Sequence, residues 1–134
     1  MHNLLPSLLP SLLPILLPGI IMILLDFIYL NANRRMFEDQ VVQIQRTSLQ
    51  PKILPMVVCY LLLIFGLYYF IIRQHRPVWD AFLLGLVIYG VYELTNYSIL
   101  KKWNIQMVVL DTVWGGVLFA LTTWLTYNLH HLLI

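Results

Sequence analysis

The chain has 134 residues, 60% of them hydrophobic and 10% charged, with a net charge of +2 and a mean hydropathy of +0.81. Soluble domains carry about 25% charged residues, so a water-facing surface is excluded, and the small basic excess gives nucleic acid no footing. The single cysteine, Cys59, rules out an intrachain disulfide and a thiolate metal cluster, and no phosphate loop, zinc-ligand spacing or dinucleotide fingerprint is present.

The first element is a repeat, "LLPSLLPSLLPILLPG" from Leu4 to Gly19. A secretory signal would need a basic leader and a small-residue cleavage site; neither is present, so removal is not expected. Helical N–H groups bond the carbonyl four residues back. Prolines at 6, 10, 14 and 18 therefore delete bonds along one seam, which lipid tails cannot satisfy. A helix over 4–33 would also be about 45 Å long, beyond the roughly 30 Å hydrocarbon core. The expectation is a kinked or irregular apolar appendage over 1–17 at the outer surface, serving membrane docking or oligomer contact. A four-helix membrane domain over 18–134 follows it.

Spans are expected at about 18–33, 53–72, 78–100 and 105–129, each near the length a bilayer helix needs. Lipid offers backbone groups no partner, so helices are required. Pro18, Pro51, Pro55 and Pro77 precede or open apolar runs, where a missing N–H costs little. Asp80 falls in the first turn of the third span, a solvated position suited to the helix dipole. The fold class read from this pattern is an all-α integral membrane protein, a four-transmembrane-helix bundle with a proline-rich apolar N-terminal segment.

Loop one carries Arg34, Arg35, Arg46 and Lys52, loop three carries Lys101 and Lys102, and loop two carries Arg73 and Arg76. The bias of lysine and arginine toward the cytoplasm places loops 34–52 and 101–104 inside and both termini outside. Loop one also holds Val41, Val42, Ile44 and Leu49, so it reads equally as an amphipathic surface helix or a solvated loop. Trp79, Trp103, Trp124, Tyr68 and Tyr69 read as interfacial aromatics, and His75, His130 and His131 as polar residues at span ends.

Three carboxylates interrupt the spans: Asp26, Glu93 and Asp111. Ionisable groups inside a bilayer are expensive, and a functional role is the default reading. Counting from Arg34, Lys101 and Lys102 puts all three roughly 10–13 Å in from the basic band. Helical periodicity sets Tyr89, Glu93 and Asn96 on one face of the third span, flanked by Tyr92 and Thr95. It sets Asp111, Trp114, Gly115 and Thr122 on one face of the fourth, and Asp26, Tyr29 and Asn33 on one face of the first. The second span offers only Tyr60, so a polar patch joins spans one, three and four while span two packs. With no lysine or arginine at that depth, the acids need protons, a hard cation or water.

The segments "LLDFIYLNANRRMF", "YELTNYSILKKW" and "MVVLDTVWGGVL" resemble domain of unknown function 2177, a family of small predicted membrane proteins, over about Gly19 to Leu129. The family pattern has an Asp before Trp-Leu in the first span, Tyr-Asp-Leu-Thr-Asn before a Gly/Lys-Trp turn, and Asp-x-x-Trp-Gly in the last span. The resemblance implies that Asp26, Tyr92, Glu93, Thr95, Asn96, Asp111, Trp114 and Gly115 are marked positions. Glu93 departs from the usual Asp, and Tyr29 from the usual Trp. The resemblance implies a fold and a site but carries no activity.

Three functions fit. The first is transport or conduction of a proton, cation or small solute, with Asp26, Tyr92, Glu93, Asn96, Asp111 and Trp114 at the site and Tyr29, Asn33, Tyr89, Thr95 and Gly115 in support. Four spans are few, so a homo-oligomer would enclose the path, with Gly66, Gly85, Gly90, Gly115 and Gly116 allowing close helix contacts. The second is a membrane enzyme with Glu93 and Asp111 as acid and base on a lipid or isoprenoid. The third is an accessory or assembly protein. No cofactor is implied, and the lipid bilayer is the expected partner.

Overall fold

A computed structural model describes residues 4–46 and 52–133. The expectations resting on 1–3 and 47–51, and on the side chains of 4–11 and of His131, lie outside the described residues. Five helices and no strand are present among the described residues: α1 Leu4–Ala32, α2 Arg34–Gln45, α3 Ile53–Leu67, α4 Val78–Ile99 and α5 Ile105–Leu133. A π-helical turn, Tyr68–Ile72, continues α3. Four stretches are long and apolar enough to cross a membrane: Leu12–Ala32, Ile53–Ile72, Val78–Ile99 and Ile105–His130.

The repeat is the main difference from expectation. Where a kinked or irregular appendage was expected, α1 is one helical element from Leu4 through Pro6, Pro10, Pro14 and Pro18 to Ala32, and among the described residues its apolar span covers Leu12–Ala32. The physical reason is the period of the prolines. From Pro10 onward each proline loses its bond to the carbonyl of the preceding proline, and its ring crowds that same carbonyl. The losses stack in one row, while the leucines and serines between them keep their bonds, and leucine is a strong helix former. The first loop also resolves: its first part is the helix α2, whose charged residues and Val41, Val42 and Ile44 suit an interfacial helix.

Helix α5 is the centre of the bundle. It packs along α4 over most of its length and also against α1, while α3 is attached mainly through α1. The α4–α5 approach is set by glycines. A Cβ on Gly85 would collide with the Gly115 carbonyl and come within 2.8 Å of the Phe119 ring, and a Cβ on Gly115 would collide with Tyr89. Gly19 of α1 lies against Ile64 of α3, where a Cβ would stand 3.3 Å from Ile64 Cδ1. Met22, Ile64, Leu67, Ile71, Ala81, Leu118 and Phe119 close the bundle as an apolar plug. In contrast, residues 53–59 at the start of α3 are all exposed, Cys59 among them.

Gln40 fastens α2 to the turn between α4 and α5. It is 3% exposed; its amide donates to the Lys102 carbonyl at 2.7 Å, and its oxygen accepts from the Asn104 N–H at 2.9 Å. Gln40→Met keeps the bulk and removes both bonds. It is expected to speed amide exchange through residues 100–104 at least about fivefold, for a loss of about 1 kcal/mol, measured by hydrogen–deuterium exchange of the detergent-solubilised protein.

At the opposite end of the bundle, Tyr127 of α5 donates to the Arg76 carbonyl at 2.7 Å and stacks on His75 at 4.4 Å. Asp80, in the first turn of α4, pairs with Arg76 at 2.8 Å. The pair is solvent-facing and contributes little to stability.

Candidate functional site

The three acids lie on the α2 side of the apolar plug, one each on α1, α4 and α5. Each stands on the helix face that packing turns inward, and they are 6% (Asp26), 1% (Glu93) and 7% (Asp111) exposed. Burial of this degree requires partners, and each has them.

Asp26 accepts from the Trp114 indole N–H at 2.9 Å and from the Tyr60 hydroxyl. Asp111 accepts from the Tyr29 hydroxyl at 3.2 Å. Glu93 accepts from Trp103 Nε1 at 3.0 Å and is a near neighbour of the Asp111 carboxyl. Tyr29 stacks on Trp114, ring centroids 4.4 Å apart and planes 16° apart. The stacked pair joins the Asp26 part of the network to the Asp111 part. Tyr89 seats on Gly115 and, with Asp26, Tyr60 and Asp111, lines a cavity of about 250 Å3. Leu30, Phe37, Met56, Cys59 and Leu63 complete it, so it lies between α1 and the loosely held start of α3.

The other residues singled out from the sequence are distributed differently. Tyr92 is 57% exposed and Thr95 is exposed, both on the outer side of α4, while Asn96 is half-buried. Asn33 donates to the Tyr29 carbonyl at 3.0 Å at the α1–α2 junction. Thr122 is fully buried in the bundle, about three turns of α5 beyond Asp111 and away from the acids. Tyr60 brings α3 into the polar network rather than leaving it to packing alone. Sequence reasoning misses the roles of Trp103 and Gln40: Trp103 reads as an interfacial aromatic, and a lone glutamine in a charged loop has no periodicity to mark it. A spacing of ten residues across a turn is the only sign linking Trp103 to Glu93.

No lysine or arginine pairs with the acids, because both ion pairs among the described residues, Arg34–Glu38 and Arg76–Asp80, are elsewhere. Nor do any three of His, Cys, Asp and Glu among the described residues stand so as to hold a metal ion together.

Trp114→Phe keeps the stack on Tyr29 and removes one donor from Asp26. The expected cost is about 1 kcal/mol, between the net worth of a hydrogen bond in water and its smaller average in membrane bundles. Thermal unfolding of the solubilised variant measures it.

Residues 11–128 match a protein-family model described as "Predicted membrane protein (DUF2177)". The match begins inside the Leu-Leu-Pro repeat. Comparisons with curated proteins and with solved structures find no match.

Proposed function

The chain belongs to the DUF2177 family of predicted membrane proteins, and from its place in the bilayer we propose that the carboxylate network is a proton-binding site through which it carries a proton, or a small solute coupled to one. The observation that carries this reading is the arrangement of Asp26, Glu93 and Asp111: three buried acids on three helices, each bonded to tyrosine or tryptophan donors. Glu93 and Asp111 are neighbouring buried carboxyls, and a proton held by one removes the like-charge repulsion between them. Two like charges in a low-dielectric site repel strongly, which is the physical basis of shared-proton carboxyl pairs. A proton fits this donor set better than a cation, for which the acids do not converge.

With loops 34–52 and 101–104 on the cytoplasmic side, as their excess of lysine and arginine favours, the acids occupy the inner half of the membrane. The plug of Met22, Leu67, Leu118 and Phe119 then closes them from the outside, and the cavity beside α3 gives them an inner and lateral approach. A second copy of the chain against the exposed start of α3 would wall off that approach from lipid.

A membrane enzyme is the second reading. It is favoured by the cavity, whose apolar lining ends on Asp26 and Asp111 and suits a lipid or isoprenoid with a polar head, Glu93 and Asp111 serving as acid and base.

Vesicles containing the purified protein and a pH-sensitive dye test the first reading. An imposed pH or voltage gradient is expected to discharge faster than in protein-free vesicles. Discharge at the protein-free rate, without and with a panel of small organic cations and anions, would overturn it. Chemical conversion of a vesicle lipid in the same samples would favour the enzyme.

A further inference from the structure

Three cations converge at the end of the bundle that carries α2. Gln40 holds the α4–α5 turn against α2 through its bonds to Lys102 and Asn104. This brings Lys101 and Lys102 beside Arg46, which ends α2 in a left-handed conformation with φ 60° and bonds its N–H to the Val42 carbonyl at 2.7 Å. Arg46, Lys101 and Lys102, with Gln43, Ile44 and Leu100, line a concave pocket of about 210 Å3.

Neither ion pair among the described residues involves these cations. Glu38 pairs with Arg34, and Asp39 lines a separate pocket with Arg35 on the other side of Gln43. Three like charges fixed around one small concavity repel unless an anion sits among them. The height of the pocket says which anion. Leu100 immediately follows the span Val78–Ile99, and Ile99 just below it is 73% exposed. The floor of Ile44 and Leu100 is apolar, and the cations above it stand where the hydrocarbon core gives way to headgroups.

We propose that this pocket binds the phosphate of an anionic phospholipid, with Arg46, Lys101 and Lys102 on the phosphate oxygens and the acyl chains descending along Ile99. The ligand chemistry is a phosphate ester; the apolar floor and the exposed last turn of α4 assign it to a membrane lipid rather than to a free phosphate. This site is separate from the carboxylate network and does not depend on the transport reading.

The test uses the full chain taken through vesicles of phosphatidylcholine with phosphatidylglycerol, extracted into non-ionic detergent and weighed by native mass spectrometry. Phosphatidylglycerol is expected to stay bound in preference to phosphatidylcholine. The triple variant Arg46→Gln, Lys101→Gln, Lys102→Gln should retain at least about tenfold less of it. The equal-charge control Arg34→Gln, Arg35→Gln, Lys52→Gln should retain it as the parent does. Gln40→Met, which changes no charge, should also lose lipid, because it frees the turn. Equal loss in the control, or full retention in both the pocket variant and Gln40→Met, would overturn the proposal. Displacement of the lipid by millimolar inorganic phosphate would overturn its assignment to a lipid. All these variants alter solvent-facing or loop-fastening groups, and a monodisperse elution profile establishes that each one is folded.

Discussion

Gly85→Ala is expected to remove most of the folded protein from a detergent extract. The new methyl group would meet the Gly115 carbonyl and the Phe119 ring. The first is backbone and the second is a fully buried core side chain, so neither can swing aside. The helices must separate, and Tyr89, seated on Gly115, moves with them. Overpacking of this kind costs about 1–3 kcal/mol, or more where backbone is the obstacle. The better helix propensity of alanine returns only about 1 kcal/mol, and total stabilities are only about 5–15 kcal/mol. Gly66→Ala is the matched control. A Cβ there meets nothing within 4 Å, so the same change should be neutral or stabilising by up to about 1 kcal/mol. Elution profiles and melting curves of the two variants measure the difference; equal melting of both would show that the α4–α5 crossing has room for a methyl group.

The double variant Glu93→Gln, Asp111→Asn should reduce proton discharge in vesicles to the protein-free rate while leaving the bundle folded. The two amides keep the size and hydrogen-bonding capacity of the acids. The glutamine oxygen introduced in place of Glu93 can still accept from the Trp103 indole. The asparagine oxygen introduced in place of Asp111 can still accept from the Tyr29 hydroxyl. The present partners of Glu93 and Asp111 are therefore not orphaned. What disappears is the proton that one carboxyl can release to the other. The stability change is expected to stay near about 1 kcal/mol, the scale of a neutral hydrogen bond, so a large fall in flux would be a functional loss. Discharge that persists in the double variant but stops in Asp26→Asn would move the proton site to Asp26. Discharge that survives all three substitutions would end the carboxylate reading.

The four spans were legible because hydropathy and length depend on little but the local chain. An apolar stretch was expected at 53–72 and is found at Ile53–Ile72; the third and fourth differ from expectation by one residue each at their C-terminal ends. That Asp26, Glu93 and Asp111 lie inside apolar helices was legible for a similar reason, and all three are buried. Rotation about each helix axis was not. Tyr92 and Glu93 are adjacent in sequence, yet one faces outward and the other is almost fully buried, because the Gly85–Gly115 contact decides which face of α4 meets α5. Links across turns were also hidden. Trp103 reaches Glu93, and Gln40 reaches Lys102 and Asn104, only after the chain has folded back. The helix through the repeat was missed because the seam of lost bonds was set against lipid tails and given more weight than the helix preference of the leucines between the prolines.

That spacing has a consequence for length. One Leu-Leu-Pro-x unit is four residues, slightly more than a helical turn, so each unit adds about 6 Å of rise and about 40° of rotation. Everything from Pro18 onward, including the contact of Gly19 with Ile64 and all three acids, lies on one side of the repeat. Gain or loss of a unit would therefore change the length of α1 by about 6 Å and turn its outer part by about 40°, which shifts Ile15 against the core and Pro14 and Leu17 beside Tyr68 and Tyr127. A bilayer a few ångströms thicker or thinner is matched at a cost of only fractions of a kcal/mol per ångström of mismatch. A change in the number of units would therefore alter the reach of α1 and its packing beside Tyr68 and Tyr127 together.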